Sequence, residues 1–99
     1  MVEKIDPRYK LAIIKAVNYH FPQAKIILFG SRARGTNKSG ADVDVAIDIG
    51  ERIPLLELQR ARNTMENLFI PLEVDLVDLQ RVSAEFKASI LSEGIVWQS

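Results

Sequence analysis

The run Asp42-Val43-Asp44-Val45-Ala46-Ile47-Asp48-Ile49 alternates acid and aliphatic residues with a period of two, broken on the acid side only by Ala46. A helix would scatter these residues around its axis, whereas a strand puts the three aspartates on one face and the aliphatic residues on the other. The apolar face must be buried. The acidic face must meet something that tolerates like charges side by side, because aspartate is disfavoured in strands and neighbouring carboxylates repel when ionised. Gly50 closes the run.

The flanking sequence builds a layered fold around that strand. Asp6 is a good helix cap and Pro7 suits the first helical position; Leu11, Ile14, Val17 and Phe21 then recur at helical spacing up to Pro22. Lys25-Ile26-Ile27-Leu28-Phe29 is a continuous apolar run closed by Gly30, the signature of a strand covered on both faces. Leu55, Leu58, Ala61, Met65 and Leu68 mark a helix between Pro54 and Pro71. Leu72-Glu73-Val74-Asp75-Leu76-Val77 predicts a third strand. Ser83 can cap a last helix carrying Phe86, Ile90 and Leu91, with Gly94 at its end and Ile95-Val96-Trp97 as a closing strand. The order αββαβα(β) predicts an α/β (α+β) fold, a mixed sheet of about four strands with helices mainly on one face.

Ninety-nine residues are expected to form one domain, 1–99, since a chain of this size cannot build two independent cores. Hydrophobic residues at 47% and charged residues at 26% exclude a disordered or collagen-like chain. Thirteen bases balance thirteen acids, so no electrostatic footprint for wrapping DNA or lying on acidic lipid is expected. That balance hides an asymmetry: residues 1–50 hold eight bases and five acids, residues 51–99 five bases and eight acids. With no cysteine, disulfides, zinc fingers and thiol nucleophiles drop out and a reducing compartment is the default. Met1-Val2-Glu3-Lys4-Ile5-Asp6-Pro7 lacks an apolar signal core, and no apolar run approaches the roughly 20 residues of a membrane span. A cytoplasmic protein is expected.

The acids suggest metal chemistry. Asp42 and Asp44 would carry Cβ atoms about 7 Å apart on adjacent pleats, a span that oxygen-ligated divalent cations can bridge. Asp75 can add a third carboxylate from the next strand. With no His or Cys nearby, this donor set suits Mg²⁺ or Mn²⁺ rather than zinc or copper. Gly30-Ser31-Arg32-Ala33-Arg34-Gly35 directly follows an apolar strand, and its glycines would let backbone N–H groups cradle a phosphate while Ser31 adds a hydroxyl. Arg34, and with it Arg32, could neutralise further phosphate charge. Gly30 and Gly35 have Walker spacing, but Thr36-Asn37 follows where Lys-Ser/Thr is required. An EF-hand starting at Asp42 would need glycine where Ile47 stands.

Strand, Gly-Ser turn, Asp-x-Asp strand and later acid together resemble the nucleotidyltransferase superfamily typified by DNA polymerase beta. The family pattern maps onto Gly30, Ser31, Arg34, Gly35, Asp42, Asp44 and Asp75, over about residues 10–97. At this length the chain is similar to the minimal nucleotidyltransferases, little more than the catalytic core. The resemblance implies two Mg²⁺ ions (or Mn²⁺) held by Asp42 and Asp44, with Asp75 on the side of the attacking hydroxyl, and ATP or another NTP whose β- and γ-phosphates meet Ser31 and Arg34. Asp78, three residues on, is expected to leave that site. Ala41 departs from the pattern, since many members carry Ser before the first acid.

No second domain and no aromatic ladder is expected to hold a base or a template, so the acceptor is expected to arrive with a partner. Minimal nucleotidyltransferases resemble the antitoxin half of a pair with an all-helical HEPN ribonuclease toxin, which implies NMP transfer, AMP foremost, to that protein or to an RNA end, and a homo- or hetero-oligomer. The competing expectation is a binding module that neutralises such a toxin by contact alone. His20 is expected at a helix surface without a catalytic role, and Trp97 as a core plug or interface anchor.

Overall fold

The computed structural model describes residues 3–99; Met1 and Val2, the start of the segment read as lacking a signal core, lie outside the described residues. Helix α1 (Pro7–His20), strand β1 (Lys25–Phe29), the single-turn α2 (Ser31–Arg34), β2 (Val43–Asp48), α3 (Leu55–Glu66), β3 (Val74–Asp78), α4 (Ala84–Glu93) and β4 (Ile95–Gln98) follow in order. The four strands form one mixed sheet in the order β3-β2-β1-β4. β1 pairs antiparallel with β2 and β4, while β2 and β3, joined through α3, run parallel, as a strand-helix-strand crossover requires. No described helix is long and apolar enough to cross a membrane.

Local chemistry sets the helix ends. The Asp6 Oδ1 accepts from the Arg8 N–H at 2.8 Å, and the Ser83 hydroxyl accepts from the Phe86 N–H at 3.1 Å, each satisfying a donor that a first turn leaves open. The buried stripe of α1 is Ile13, Ala16 and Val17. That face is turned slightly from the one marked by Leu11 and Ile14: Leu11 is exposed and Ile14 only half-buried, because packing against α3 selects the neighbouring row. Likewise Leu58, Ala61 and Met65 are buried on α3 while Leu55 is exposed, and α4 buries only Ile90.

Both faces of the sheet are covered. Ile26, Leu28, Val43, Val45, Ile47 and Leu76 face α1 and α3 in the larger core, and Ile27, Phe29 and Ala46 pack with Ile90 and Leu79 on the α4 side. Burying side chains of this size contributes about 1.5–3 kcal/mol each. The acidic face of β2 is thus not a solvated face: Asp44, Ala46 and Asp48 look toward the α4 layer, with Ala46 fully buried between the two aspartates.

Asp48 and Asp78, at the far ends of β2 and β3, are tied into the fold. The Gln80 side chain donates to Asp48 at 3.0 Å and its N–H to Asp78 at 2.9 Å; Asp78 also accepts from the Ile53 N–H at 2.8 Å. Asp78 is 2% exposed. Replacing it with Ala strands the buried Ile53 N–H, so Asp78→Ala should cost about 2–4 kcal/mol. Urea titration reads this as a lowered midpoint at unchanged slope; a loss under about 0.5 kcal/mol, the scale of ordinary surface substitutions, contradicts it.

Candidate active site

β1 ends where the acids begin. In the antiparallel register Phe29 faces Asp44, and in the parallel register Asp44 faces Asp75, so Phe29, Asp44 and Asp75 stand in a row across three strands about 4.8 Å apart, with Gly30 one residue past the row. Gly30 holds φ 77° and ψ −158°, a conformation essentially reserved for glycine. A Cβ there would run into the Asp44 carboxylate at Oδ2. The chain then enters α2, where the Gly30 carbonyl accepts from the Ala33 and Arg34 N–H groups at 3.2 Å. Gly35 closes the turn in the left-handed region, its N–H on the Ser31 carbonyl. At such a helical start the first N–H groups have no helical acceptor and lie open to an anion.

Asp42 stands one residue before β2, exposed, because pairing with β3 begins at Val43, whose N–H donates to the Glu73 carbonyl at 2.8 Å. The two acids of the Asp-x-Asp pair therefore do not share a strand; the tight pair is Asp44 with Asp75. Burial and then the charges of Asp75 and Asp42 raise the Asp44 carboxyl above its ordinary 3.8, and Arg34 draws it back. Asp75, Asp42 and Arg34 thus all act on Asp44. At the other end of β2, burial would raise Asp48, but hydrogen bonds from Gln80 and Gly50 hold it below 3.8.

Arg34 is exposed and pairs with Glu93 of α4 at 3.2 Å. Arg32 does not join it. It is 6% exposed, with Nε and Nη2 donating to the Ala41 carbonyl at 3.0 and 2.7 Å and Nη1 to the Lys4 carbonyl at 2.6 Å. The expectation that Arg32 neutralises phosphate is corrected, since its side chain is buried and three of its five N–H groups are given to backbone carbonyls. Glu93 gave no signal in the sequence, lying 59 residues from Arg34. A cleft of about 140 Å³ opens beside Gly30 and Arg34 against Phe86, Ser89 and Glu93; another of about 370 Å³ borders Asp42 and Asp75, with Glu66 and Glu73 over an apolar floor.

Among the described residues no three His, Cys, Asp or Glu side chains already stand at metal-gripping distance. The donors nonetheless suit a hard divalent cation: they are all carboxylate oxygens, and burial together with the charges of Asp75 and Asp42 disfavours the bare Asp44 carboxylate. His20 meets the Thr64 hydroxyl at 2.6 Å, and the Trp97 Nε1 donates to the Glu3 carboxylate at 3.2 Å, both consistent with structural roles.

A strand-turn unit that seats an acidic pair against a phosphate-sized turn on a mixed sheet defines a nucleotidyl-transfer architecture. The family model for polymerase beta nucleotidyltransferases matches residues 12–98, and the chain belongs to that family; its activity class is nucleotidyl transfer. It is 31% identical over 90 residues, 90% of its length and 79% of the relative's, to a Haemophilus influenzae protein named "Probable protein adenylyltransferase MntA". A solved toxin-antitoxin complex with AMP-PNP superposes with TM-score 0.77 at 25% identity, over 91% of this chain and 73% of that one. The fold also matches a chain of a complex between a tri-AMPylated Shewanella oneidensis HEPN toxin and an MNT antitoxin, with TM-score 0.68, 24% identity and coverage of 91% and 70%.

Two outcomes follow from this geometry. Gly30→Ala should lose about 1–3 kcal/mol by urea titration, and an unchanged midpoint contradicts the close approach to Asp44. Because the folded state raises the Asp44 pKa, it binds this proton more tightly than the unfolded chain. Stability from this group is therefore present below pH 3.8 and lost as pH rises through the folded pKa. Without divalent cations, Asp44→Asn should melt level with wild type near pH 3.5 and a few degrees higher at pH 7, a gap of up to about 1 kcal/mol. A gap of opposite sign at pH 7 contradicts the repulsion.

Proposed function

We propose that this protein moves a nucleoside monophosphate, AMP from ATP, onto a helical HEPN-type partner protein or an RNA end, as the antitoxin of a toxin-antitoxin pair. The observation that carries the reading is the register pair Asp44 and Asp75 seated against the Gly30 turn. The relatives support it: one named an adenylyltransferase, one solved with AMP-PNP, one bound to an AMPylated HEPN toxin.

In this reading the open N–H groups of the α2 turn, the Ser31 hydroxyl and the Arg34 guanidinium bind the β- and γ-phosphates. They orient the α-phosphorus for in-line attack and hold the leaving pyrophosphate. Asp42, Asp44 and Asp75 would hold two divalent cations, Mg²⁺ or in its place Mn²⁺. Bound there, such ions supply Lewis-acid polarisation of the phosphate and lower the pKa of the attacking hydroxyl. Asp75 and Asp42 face the larger cleft, the side from which the acceptor hydroxyl would enter. Arg34 can leave Glu93 for a phosphate at little cost, because an exposed ion pair is worth about 0–1 kcal/mol. A cytoplasmic setting, where ATP and a ribonuclease partner would both be met, goes with this reading, as does one domain built around the site.

A second reading, neutralisation by contact alone, draws on the absence of a preassembled three-ligand cluster among the described residues. The two separate in one assay. Protein, a helical HEPN-type protein and labelled ATP with Mg²⁺ should yield labelled acceptor, and Asp44→Asn should lower the rate roughly 100-fold or more, several kcal/mol of lost transition-state stabilisation. Folded protein that labels nothing with any of the four nucleotides overturns the transfer reading. Toxin protection by an Asp42→Asn/Asp44→Asn double variant equal to wild type transfers the weight to contact.

A further inference from the structure

Arg32 is a buried cation with no carboxylate partner among the described residues; its side-chain hydrogen bonds all go to backbone carbonyls. A long, charged side chain is a costly way to fill that space unless its geometry is needed. The guanidinium is a rigid planar fork. Here the fork closes two N–H groups on one oxygen, the carbonyl of Ala41, and aims a third at Lys4, 28 residues away. The Arg32 carbonyl in turn accepts from the Lys4 N–H at 3.0 Å. Three chain segments are laced at one residue.

The position of the lace carries the inference. Arg32 lies between Ser31 and Arg34 in the phosphate turn, and Ala41 immediately precedes Asp42. The seven residues from Gly35 to Ala41 are neither helix nor strand, and Asp42 stands outside β2. With no ladder bond holding it, Asp42 is anchored on one side by Val43 at the start of β2 and on the other by the Ala41 carbonyl. We propose that Arg32 is a positioning residue: by gripping the Ala41 carbonyl it fixes the distance between the phosphate turn and Asp42, so that triphosphate and divalent cation are met by parts already in place. This rests on the nucleotidyltransferase reading for its consequence and on the hydrogen bonds alone for the clamp. It also gives Ala41 its role. The grip is on main chain, so the missing hydroxyl at that position removes nothing from it.

The test compares Arg32→Lys, which keeps the cation and loses the fork, with Arg32→Gln and with Asp78→Ala as a destabilised control remote from the site. Amide exchange by NMR reads the clamp without any nucleotide. Arg32→Lys should speed exchange of the Val43 N–H tenfold or more while the Leu79 N–H, bonded to Ile47 at the other end of the sheet, is unchanged. In thermal shift with ATP, the Mg²⁺ concentration giving half the effect should rise about tenfold in Arg32→Lys and stay at the wild-type value in Asp78→Ala. Wild-type Val43 exchange in a folded Arg32→Lys protein overturns the proposal. Equal shifts in Asp78→Ala, or failure of both Arg32 variants to fold, also overturn it, showing general support of the fold instead. A wild type that ignores Mg²⁺ and ATP defeats the nucleotidyltransferase reading and the Mg²⁺ consequence, while the exchange rates still decide the clamp.

Discussion

The Asp44 carboxylate lies where a side chain on Gly30 would be. Much of the site follows from that contact. Because Gly30 has no Cβ and takes a backbone conformation other residues avoid, β1 can stop beside an acid of β2 and turn at once into α2. The phosphate turn and the central carboxylate are thereby brought within a strand's width. Their separation is set by one antiparallel register, Phe29 against Asp44, and a slip of one residue would send Asp44 into the core facing α1. Turn and acid are a single geometric unit.

The same two strands show how chemistry divides along a sheet. β2 and β3 each carry an aspartate near their start and another at their end: Asp44 and Asp75 at one edge, Asp48 and Asp78 at the other. At the far edge Gln80 bridges both carboxylates, and the backbone N–H groups of Gly50 and Ile53 complete them. At the near edge, burial first and then the charges of Asp75 and Asp42 raise the proton affinity of Asp44, with Arg34 opposing them. Such a row persists because the apolar layers above and below, from Val43 to Ile47 and from Ile27 to Ala46, bury enough surface to tolerate it. Under the proposed function, an incoming cation would relieve what repulsion Arg34 leaves at Asp44.

Much of this was legible because it rests on local rules. Asp6 and Ser83 are caps by their chemistry, β1 is bounded by a charge and a glycine, and the alternation through Asp44 to Asp48 admits only a strand. The rest depended on contacts remote in sequence. The α2 turn is four residues long, too short for any period to register. Asp42 falls outside β2 because of where β3 starts to pair, a fact about Glu73, not about residues near 42. The apolar row of α1 is chosen by its neighbour α3, so Ile13 is buried and Leu11 is not. Arg32 reads as a phosphate ligand beside Gly30 and Ser31, and only the fold reveals that its side chain is buried and bonded to the carbonyls of Lys4 and Ala41.

Arg32 and Arg34 are two residues apart on one turn, and residues so spaced point to different sides of a helix. The consequence is a division of labour within one short motif. Arg32 goes inward to carbonyls, which are uncharged and fixed, so its place does not change when charge arrives. Arg34 goes outward to Glu93 across solvent, and it also reaches the field of Asp44. Under the proposed function, a triphosphate would compete for Arg34 with one exposed carboxylate and would bring more charge than that carboxylate does, which would draw the exchange toward the nucleotide. The glutamate that Arg34 leaves stays in water, where an unpaired charge is tolerated. On the proposed function, one arginine would keep the frame of the site constant while its neighbour changes partners, and the alternation of inward and outward side chains on a single turn would allow both.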